Sequence, residues 1–504
     1  MTTKQIYPKT QIPHSPNQNI TPLPKATPSP LVIDKQNSKQ KSSNLKKTSL
    51  KNPKALIAGI VIISLLVSII IGLIFLFLKK TERNDQQQNA GELTEIEGNP
   101  VLFYDNLTGE IISQSGLQYD SAHNPRLNAD GTPLRLSIKQ AEAVANDLNS
   151  KPTFCVQIPN GMDGARPQVG LHRASIVFEA IAEAGITRFA AIFKNPINQT
   201  AIGPIRSLRL YHLDWDTPFD CTIIHAGGAD DALSAVSSGY KHLSESHAYM
   251  WRASGHWTRF GFSGYAMPNN LFTSGEHLLD FQKTLNTTVS HPQSFARQTP
   301  SEANAERELV GKAEAELNPP KQSGDSTNAR QSDDSTKPNT SDSSTSADHP
   351  HRTPLPFISN IHVRFNYQAG FNIDYRYHPE SNTYFRFFAN GTPHLSYTCE
   401  NTQAHPAPKA DCGEATQLNP EVVIVMRVQE HTSPIDNYHE DITTVGSGQV
   451  YIFQNGTVFE GTWQKASRTE QIKFKNHHGE EIKLKPGRTW LSAIPNSYGK
   501  LSYE

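Results

Sequence analysis

The stretch SIVFEAIAEAGITRFAAIF, residues 175–193, decides the fold of the first half of this chain. Two short apolar runs lie on either side of Gly185, and their lengths suit β-strands. The pattern predicts two strands joined by a turn at Gly185, with a helix as the open alternative for the first run. Glu179, Glu183 and Arg188 are the charged positions within it.

The next segment, GPIRSLRLYHLDWDTPFDCTIIHAGGADDA (203–232), adds helix and strand patterns. IRSLRLYHLDWD predicts a helix, CTIIHA predicts a buried strand, and DDALSAVSS predicts a second helix that begins at Asp230 or Asp231. Upstream, SIKQAEAVANDLNS predicts a helix with Ser137 as its N-cap. This alternation is typical of an α/β (α+β) layered domain, which we place at residues 100–296.

The C-terminal part of the chain has the period of strands. FNIDYRYHPESNTYFRFFANG holds two alternating aromatic runs, VVIVMRVQEH predicts a strand, and EEIKLKPGRTWLSAI adds one or two more. Asn455-Gly456 lies between two alternating runs, a pattern that favours a hairpin. The sequence therefore predicts a β-rich domain at residues 353–504.

Two polar segments flank the first domain. Residues 1–54 include PHSPNQNITPLPKATPSP and predict a disordered tail, and residues 297–352 are rich in Ser, Thr and Asp and predict a disordered linker. The whole chain has a formal net charge of -1, which gives no electrostatic support to a nucleic-acid-binding role.

One segment predicts a membrane anchor. Residues 55–78, ALIAGIVIISLLVSIIIGLIFLFL, are uncharged, and as a helix they are long enough to span a bilayer. Six lysines lie between positions 39 and 54, against Lys79, Lys80 and Arg83 on the other flank. The positive-inside bias predicts a single-pass protein of the cell membrane with a cytoplasmic N-terminus, an extracytoplasmic stalk at 79–99 and extracytoplasmic domains.

The four cysteines fit an oxidising compartment. Cys399 and Cys412 bracket a polar loop that a disulfide can close. Cys155 and Cys221 either form a disulfide or are buried thiols. The spacing of Cys and His matches no metal site, so no metal is expected.

The segment at 203–232 also concentrates polar chemistry. If Gly203-Pro204 begins a helix, Arg206 and Arg209 lie on one face near its N-terminus, where a phosphate, sulfate or carboxylate is favoured. His225 is predicted at the C-terminal end of its strand, where α/β sheets place ligands. Glu179, Glu183 and Arg188 can face the same cleft.

A structural interpretation competes with this ligand cleft. Arg206 or Arg209 can pair with Glu179, Glu183 or Asp214, and His225 can be a hydrogen-bonded core residue. A catalytic site is the third hypothesis, although no nucleophile with its base is recognisable. Ser207 lacks the strand–turn–helix setting of hydrolase nucleophiles.

Two loops complete the candidate cleft. NGMDGARPQVGL (160–171) is glycine-rich but lacks the lysine of a phosphate-binding loop, and its Arg166 can project into the cleft. The aromatic stretch at 248–279 can present stacking faces to a sugar or a partner protein, or cover the domain by itself. Asn270 and Thr273 are its polar candidates.

Several of these motifs, in this order, resemble the YerB-like family of bacterial envelope proteins. They are ARPQVGLHRASIVFEAIAEAGITRFAAIF, GPIRSLRLYHLDW, IIHAGGADDAL, PNNLFTSG and, near the C-terminus, GSGQVYIFQNGTVFEGTWQKAS and GEEIKLKPGRTWLSAIP. The resemblance covers about 155–280 and 355–495. It implies two extracytoplasmic domains, usually on a lipid-anchored protein, no established activity and no cofactor. No lipobox cysteine lies near residues 55–78, so the helix itself is expected to be the anchor.

The resemblance also marks a set of polar positions as the family pattern. They are Arg166, Glu179, Glu183, Arg188, Arg206, Ser207, Arg209, His225, Asn270 and Thr273.

Two functional hypotheses follow. The first is a non-catalytic binding or scaffold protein that recognises an anionic envelope polymer or a membrane protein partner. The alternative is an envelope hydrolase or transferase that acts on a glycan or phosphodiester through Glu183, Arg206, Arg209 and His225.

Overall fold

The computed structural model describes residues 99–120, 124–196, 198–245, 257–259, 268–285, 289–317, 355–398, 412–413 and 415–504. The predicted tail (1–54), membrane span (55–78) and nearly all of the stalk (79–99) lie outside them. Among the described residues, no helix combines the length and the apolar character that a bilayer crossing requires.

The first half of the chain carries twelve strands and four of the five α-helices of the described residues. The strands are β1 (Leu102–Tyr104), β2 (Ile111–Gln114), β3 (Gly116–Leu117), β4 (Arg135–Leu136), β5 (Thr153–Pro159), β6 (Gln168–Val169), β7 (Ile176–Glu183), β8 (Ile186–Lys194), β9 (Thr222–Ala226), β10 (His242–Glu245), β11 (Thr258–Arg259) and β12 (Leu271–Phe272). The helices are α1 (Ile138–Asn149), α2 (Leu210–Asp216), α3 (Asp230–Ser237) and α4 (Gly275–Thr284), and α5 (Pro300–Leu317) follows.

The second half is built from strands, as predicted. They are β13 (Asn360–Arg364), β14 (Ile373–His378), β15 (Thr383–Phe388), β16 (Leu395–Tyr397), β17 (Ala415–Gln417), β18 (Val422–Val428), β19 (Glu430–Thr432), β20 (Glu440–Ile442), β21 (Gly446–Gln454), β22 (Thr457–Lys465), β23 (Lys473–Lys475), β24 (Thr489–Pro495) and β25 (Lys500–Tyr503). The mixed α/β first half and the β-rich second half are thus confirmed.

A ten-stranded sheet runs through both halves in the order β10-β9-β5-β8-β7-β24-β18-β21-β22-β23. The two halves meet where β7 pairs in parallel with β24, from Ile176 opposite Thr489 to Glu179 opposite Ser492. Every residue of both strands is buried, and strands buried on both faces belong in the centre of a sheet. The two segments predicted as separate domains therefore share one sheet.

Each face of the large sheet has its own cover. On one face Phe178 packs against Trp215 of α2, with ring centroids 5.4 Å apart, in a cluster that includes α3. On the other face Val177 belongs to a cluster with Tyr375 of the four-stranded sheet β15-β14-β13-β25. Successive residues of β7 point to opposite faces, so the strand contributes to both clusters.

The predicted hairpins are confirmed. The strands β7 and β8 pair antiparallel around Ala184 and Gly185, which have φ of 47° and 78°. Asn455 and Gly456, with φ of 53° and 76°, join β21 to β22. Two consecutive positive φ values define the tight turn that favours Asn-Gly.

The predicted helices are confirmed with one correction. Ser137 caps α1 in a capping box with Gln140, and α3 covers DDALSAVS with Ala229 as its N-cap. The helix predicted from Ile205 is wrong in its first turn, because α2 begins only at Leu210. Residues 203–209 are not helical: backbone hydrogen bonds from Arg206 to Gln157 and from Ala226 to Arg206 hold them against the ends of β5 and β9.

The predicted linker differs from the structure at residues 297–317. The guanidinium of Arg297 donates to the carbonyl oxygens of Leu107, Lys485 and Gly487, so this residue is fixed in the fold. Residues 300–317 form α5, which buries Ala303 and Val310. The remainder of the predicted linker, residues 318–352, lies outside the described residues.

The cysteine interpretation is settled for one pair. A disulfide joins Cys155 of β5 to Cys221, which precedes β9, and closes a sequence separation of 66 residues. Cys412 is also disulfide-bonded, whereas its predicted partner Cys399 lies outside the described residues.

Removal of the Cys155–Cys221 disulfide should destabilise the fold. We expect Cys155→Ala with Cys221→Ala to lower the free energy of unfolding by about 2–4 kcal/mol, because the crosslink restricts the unfolded chain. Denaturant unfolding of the full chain, with and without reductant, measures this. Reductant should lower the stability of the wild type more than that of the double variant, because the variant lacks this bond. Equal stability of the variant and the oxidised wild type would contradict the prediction.

Candidate functional site

The two glutamates of β7 lie on opposite faces of the large sheet. A β-bulge between Ile181 and Glu183 shifts the register against β8. Glu179 consequently shares a face with Thr187, to which it is hydrogen-bonded, whereas Glu183 shares the other face with Arg188. The two carboxylates therefore cannot act as a pair on one substrate, and each has its own network.

Glu183 is held by two arginines. Its Oε1 accepts from Arg188 Nη2 at 2.6 Å, and its Oε2 accepts from Arg209 Nη2 at 2.5 Å. Both arginines are 3% exposed. This is the pairing that the structural interpretation anticipated for Arg209. Charged groups that leave water need such partners, so the contacts fix all three side chains.

The backbone around the network supplies further acceptors. Arg188 Nη1 donates to the carbonyl oxygen of Ser207, and Arg209 donates to those of Leu208 and Ala182. The non-helical segment 203–209 thus carries Arg209 into the network. The predicted placement of Arg206 and Arg209 on one face of a helix N-terminus is wrong, because neither residue lies within a helix.

Arg206 differs from the other two arginines. Its side chain is partly exposed, and within the described part of the chain its guanidinium has no hydrogen-bond partner. The charges of Glu183, Asp163 and Arg209 act on it, which places it at the edge of the Glu183 network. It is the arginine of this group that has donors to offer a ligand.

The pKa values follow from burial and charge. Burial favours the neutral form of Glu183, but the positive charges of Arg188 and Arg209 outweigh it and hold the pKa of Glu183 below its usual 4.5. Burial and the charge of Arg209 lower the pKa of Arg188 to about 10. Glu183 and Arg188 are therefore both charged at neutral pH.

Glu179 forms the second network, which is fully buried. Its Oε2 accepts from Arg386 Nη2 at 2.8 Å and from Trp490 Nε1 at 3.0 Å, and its Oε1 accepts from Thr187 Oγ1 at 3.0 Å. Glu179 and Arg386 are both 0% exposed. The partners come from both halves of the chain, so this network is part of the junction between them.

Arg166 extends the second network. Its Nε donates to Asn160 Oδ1 at 2.8 Å, and its guanidinium lies 4.1 Å from the ring centre of Phe388. Burial lowers its pKa to about 10. Arg166 therefore belongs with Glu179 rather than with Arg206.

His225 belongs to neither network. It is 0% exposed, its Nδ1 lies 2.8 Å from the carbonyl oxygen of Gly227, and its Nε2 lies 3.4 Å from Nδ1 of His242. Burial lowers its pKa to about 4, so the ring is neutral at physiological pH. Both ring nitrogens face protein partners, which removes the acid–base role that the catalytic alternative gave to it.

The remaining candidates are Ser207, Thr273 and Asn270. Ser207 contributes its carbonyl oxygen to Arg188. Thr273 exchanges two backbone hydrogen bonds with Ile202, and Asn270 is buried beside it. Of the aromatic stretch at 248–279, residues 248–256 and 260–267 lie outside the described residues.

The sequence interpretation missed the partners from the second half. Arg386, Trp490, Tyr375 and His394 surround Glu179, and Arg386 donates to the last two as well. The single indication was Arg386 itself, a charged residue inside the aromatic run TYFRFF. A charge at such a position predicts a buried partner but does not identify it.

Chemically, the candidate region is rich in charge, and its two buried carboxylates already have arginine partners. Glu183 and Glu179 have arginine partners on their oxygens, and the described residues include no group of three metal-ligating side chains. The arrangement can hold an anion at Arg206. Among the described contacts, the His225 ring faces Gly227 and His242, and the Glu183 carboxylate faces Arg188 and Arg209.

Comparisons with known proteins agree with the pattern of motifs. Residues 140–288 match the family described as "Protein of unknown function (DUF3048) N-terminal domain", and residues 361–491 match the corresponding C-terminal domain. Together the two regions cover more than half of the chain.

A Bacillus subtilis (strain 168) protein named "Putative lipoprotein YerB" is 37% identical over 125 residues, which are 24% of this chain and 35% of that protein. The alignment thus spans about a third of the relative's length. The crystal structure of YerB from Bacillus subtilis is 20% identical, with a TM-score of 0.49, and covers 75% of this chain and 100% of that one.

The Glu183 network should make stability depend on pH. A carboxylate whose pKa is lowered by folding stabilises the protein above its unfolded pKa, and this contribution disappears as the pH falls through the folded value. We expect Glu183→Gln to be less stable than wild type at pH 7 and the difference to shrink below the usual pKa of 4.5. Denaturant unfolding from pH 7 to pH 3 measures the difference.

Glu142→Gln, at an exposed position of α1, is the control for loss of one negative charge. A difference between Glu183→Gln and wild type that stays constant over this pH range would overturn the prediction.

Proposed function

We propose that this chain, which belongs to the DUF3048 family and carries both of its domains, is a non-catalytic binding protein of the cell envelope. Its ligand in this proposal is an anionic polymer. The proposal places the contact at Arg206. A partner protein is the other occupant that an experiment has to distinguish.

The observation that carries the proposal is an excess of positive charge. Three arginines, Arg188, Arg206 and Arg209, surround the single carboxylate of Glu183, and the exposed Asp163 adds one more negative charge nearby. Arg188 and Arg209 each form an ion pair with Glu183. Arg206 retains unused donors in the described part of the chain, which is what a bound phosphate or carboxylate requires.

The buried network of Glu183, Arg188 and Arg209 next to Arg206 supports such a role. Glu183 is fixed by two ion pairs, so its carboxylate is not free to swing out and neutralise Arg206. A guanidinium that is partly desolvated interacts more strongly with an anion than one in bulk water. A hydrogen bond to a charged group contributes about 1.5–3 kcal/mol, so Arg206 alone can supply a factor of roughly ten to a hundred in affinity.

Arg206→Ala should weaken binding to a polyanion. We expect the affinity of the full chain for poly(glycerol phosphate) to fall by about ten-fold or more, and wild-type binding to weaken as salt is raised. Arg206→Lys keeps the charge but loses the planar guanidinium, so its affinity for the polymer should lie between those of wild type and Arg206→Ala. Sedimentation with the isolated polymer or titration calorimetry measures the affinity.

Arg126→Ala, an exposed arginine of the β3–β4 region, is the matched control. Retention of the polymer by Arg206→Ala at wild-type affinity would reject the site. Retention of a membrane protein instead of the polymer, lost in Arg206→Ala, would assign the surface to a protein partner.

The anchor is the second part of the proposal. Residues 55–78 are uncharged and long enough to span a bilayer, and the lysines that precede them favour a cytoplasmic N-terminus. The Cys155–Cys221 disulfide supports an oxidising compartment for the domains. The name of the Bacillus relative, a lipoprotein, also supports a position at the outer side of a membrane.

Deletion of residues 55–78 should release the protein from membranes. We expect the full chain to stay in the membrane fraction after an alkaline wash, and protease added outside spheroplasts to digest the folded domains but leave an N-terminal tag intact. A tag that is digested from outside would reverse the topology. A full chain extracted by the alkaline wash would reject the membrane span.

A further inference from the structure

A groove opens directly beside the Glu183 network. It has a volume of about 750 Å³ and begins at Ala184 and Gly185, which follow Glu183, and at Glu440, which follows His439. Glu183 and His439 are bridged by backbone hydrogen bonds, so this bridge separates the groove from the network. The second half of the chain supplies most of the wall, including Arg364, Tyr367, Tyr498 and Lys500.

Tyr367 is presented by a rigid loop. Asn372 Oδ1 accepts from the backbone of Phe365 and Asn366, Asn366 Nδ2 donates to the carbonyl oxygen of Gly185 at 2.6 Å, and Gln368 Nε2 donates to that of Ala184 at 2.8 Å. These bonds pin the loop to the β7–β8 turn. Tyr367 nevertheless remains 92% exposed. Its fixed backbone and free ring suit a binding residue better than a packing residue.

A second tyrosine belongs to the same groove. Tyr498 is 48% exposed, and its hydroxyl donates to Glu430 Oε1 at 2.5 Å. The hydrogen bond limits the motion of the ring while leaving part of it open. Two tyrosine rings in one groove offer apolar surfaces with polar edges, a combination that matches the C–H faces and hydroxyl groups of a sugar ring.

The groove wall carries three charged side chains, those of Arg364, Glu440 and Lys500. Arg364 is already paired with Asp374 at 2.7 Å, whereas the Lys500 ammonium is exposed and has no ion-pair partner within the described part of the chain. An unpaired ammonium at the wall favours one carboxylate on the ligand.

From this juxtaposition we infer that the groove binds a sugar ring that bears a carboxylate, with the ring against Tyr367 and Tyr498 and the carboxylate at Lys500. The inference rests on the proposed function only in taking the ligand from an envelope polymer, and its site is separate from Arg206. A peptide is disfavoured because, among the described residues of the wall, Ala184 is the single aliphatic side chain, and it offers little to an apolar anchor.

Three small probes separate the contributions of ring and charge. N-acetylmuramic acid carries both, N-acetylglucosamine carries only the ring, and D-lactate carries only the carboxylate. The full chain in nanodiscs is examined by saturation-transfer NMR, with empty nanodiscs as the blank. We expect saturation of the ring protons of N-acetylmuramic acid, weaker saturation of N-acetylglucosamine and none of D-lactate.

The variants assign these effects to residues. Tyr367→Ala should weaken binding of both sugars by about five- to ten-fold, and Lys500→Gln should reduce the affinity for N-acetylmuramic acid to that for N-acetylglucosamine. Tyr119→Ala, an exposed tyrosine outside the groove wall, is the matched control and should bind as wild type does.

Several results would overturn the inference: no saturation of either sugar, unchanged binding by Tyr367→Ala, or saturation of an acetylated acidic tetrapeptide in place of the sugars. Arg206→Ala distinguishes the two proposals, because it should keep sugar binding while it loses the polyanion. Loss of sugar binding in Tyr367→Ala with polyanion binding intact shows that the groove acts independently.

Discussion

The buried ion pair between Glu179 and Arg386 is the constraint around which the two halves of the protein are assembled. Glu179 lies on β7, Arg386 on β15, and Trp490, which also donates to Glu179, on β24. A carboxylate without access to water is very costly unless it is paired. The β7–β24 pairing and the packing of the four-stranded sheet must therefore both be in place before this charge is satisfied.

This dependence explains why the fold could be predicted only in part from the sequence. Local patterns were sufficient for single elements: the Gly185 and Asn455-Gly456 hairpins, the Ser137 cap and the strand at 222–226 all have their determinants within a few residues. The shared sheet has no such local determinant. Its evidence lay in the predominantly apolar runs of β7 and β24, which are typical of central strands but do not identify the strands that pair with them.

The candidate residues show the same limit. The sequence identified Glu183, Arg188, Arg206 and Arg209, and the structure brings these four together. It also grouped Glu179, Arg166 and His225 with them. Glu179 and Arg166 belong to a separate network, and the His225 ring contacts Gly227 and His242. The bulge at Ile181–Glu183 is the physical reason why Glu179 and Glu183 point to opposite faces of the sheet, since one extra residue reverses the face of every side chain beyond it. A bulge of this kind has no signature in an apolar run.

The two networks on β7 have opposite relations to solvent, and this difference bears on function. The Glu179 network closes on itself: its carboxylate, guanidinium and indole are all buried and mutually paired. In the Glu183 network two arginines are paired with the carboxylate, and a third, Arg206, is partly exposed.

The groove with Tyr367 and Lys500 begins on the other side of the Glu183–His439 bridge. Arg206 on one side of this bridge, and Tyr367, Tyr498 and Lys500 on the other, provide two separate contact points on a rigid element. Two weak contacts on a rigid support combine into a stronger one, because the second contact forms within an already bound chain. A binding protein needs no catalytic group to gain affinity in this way.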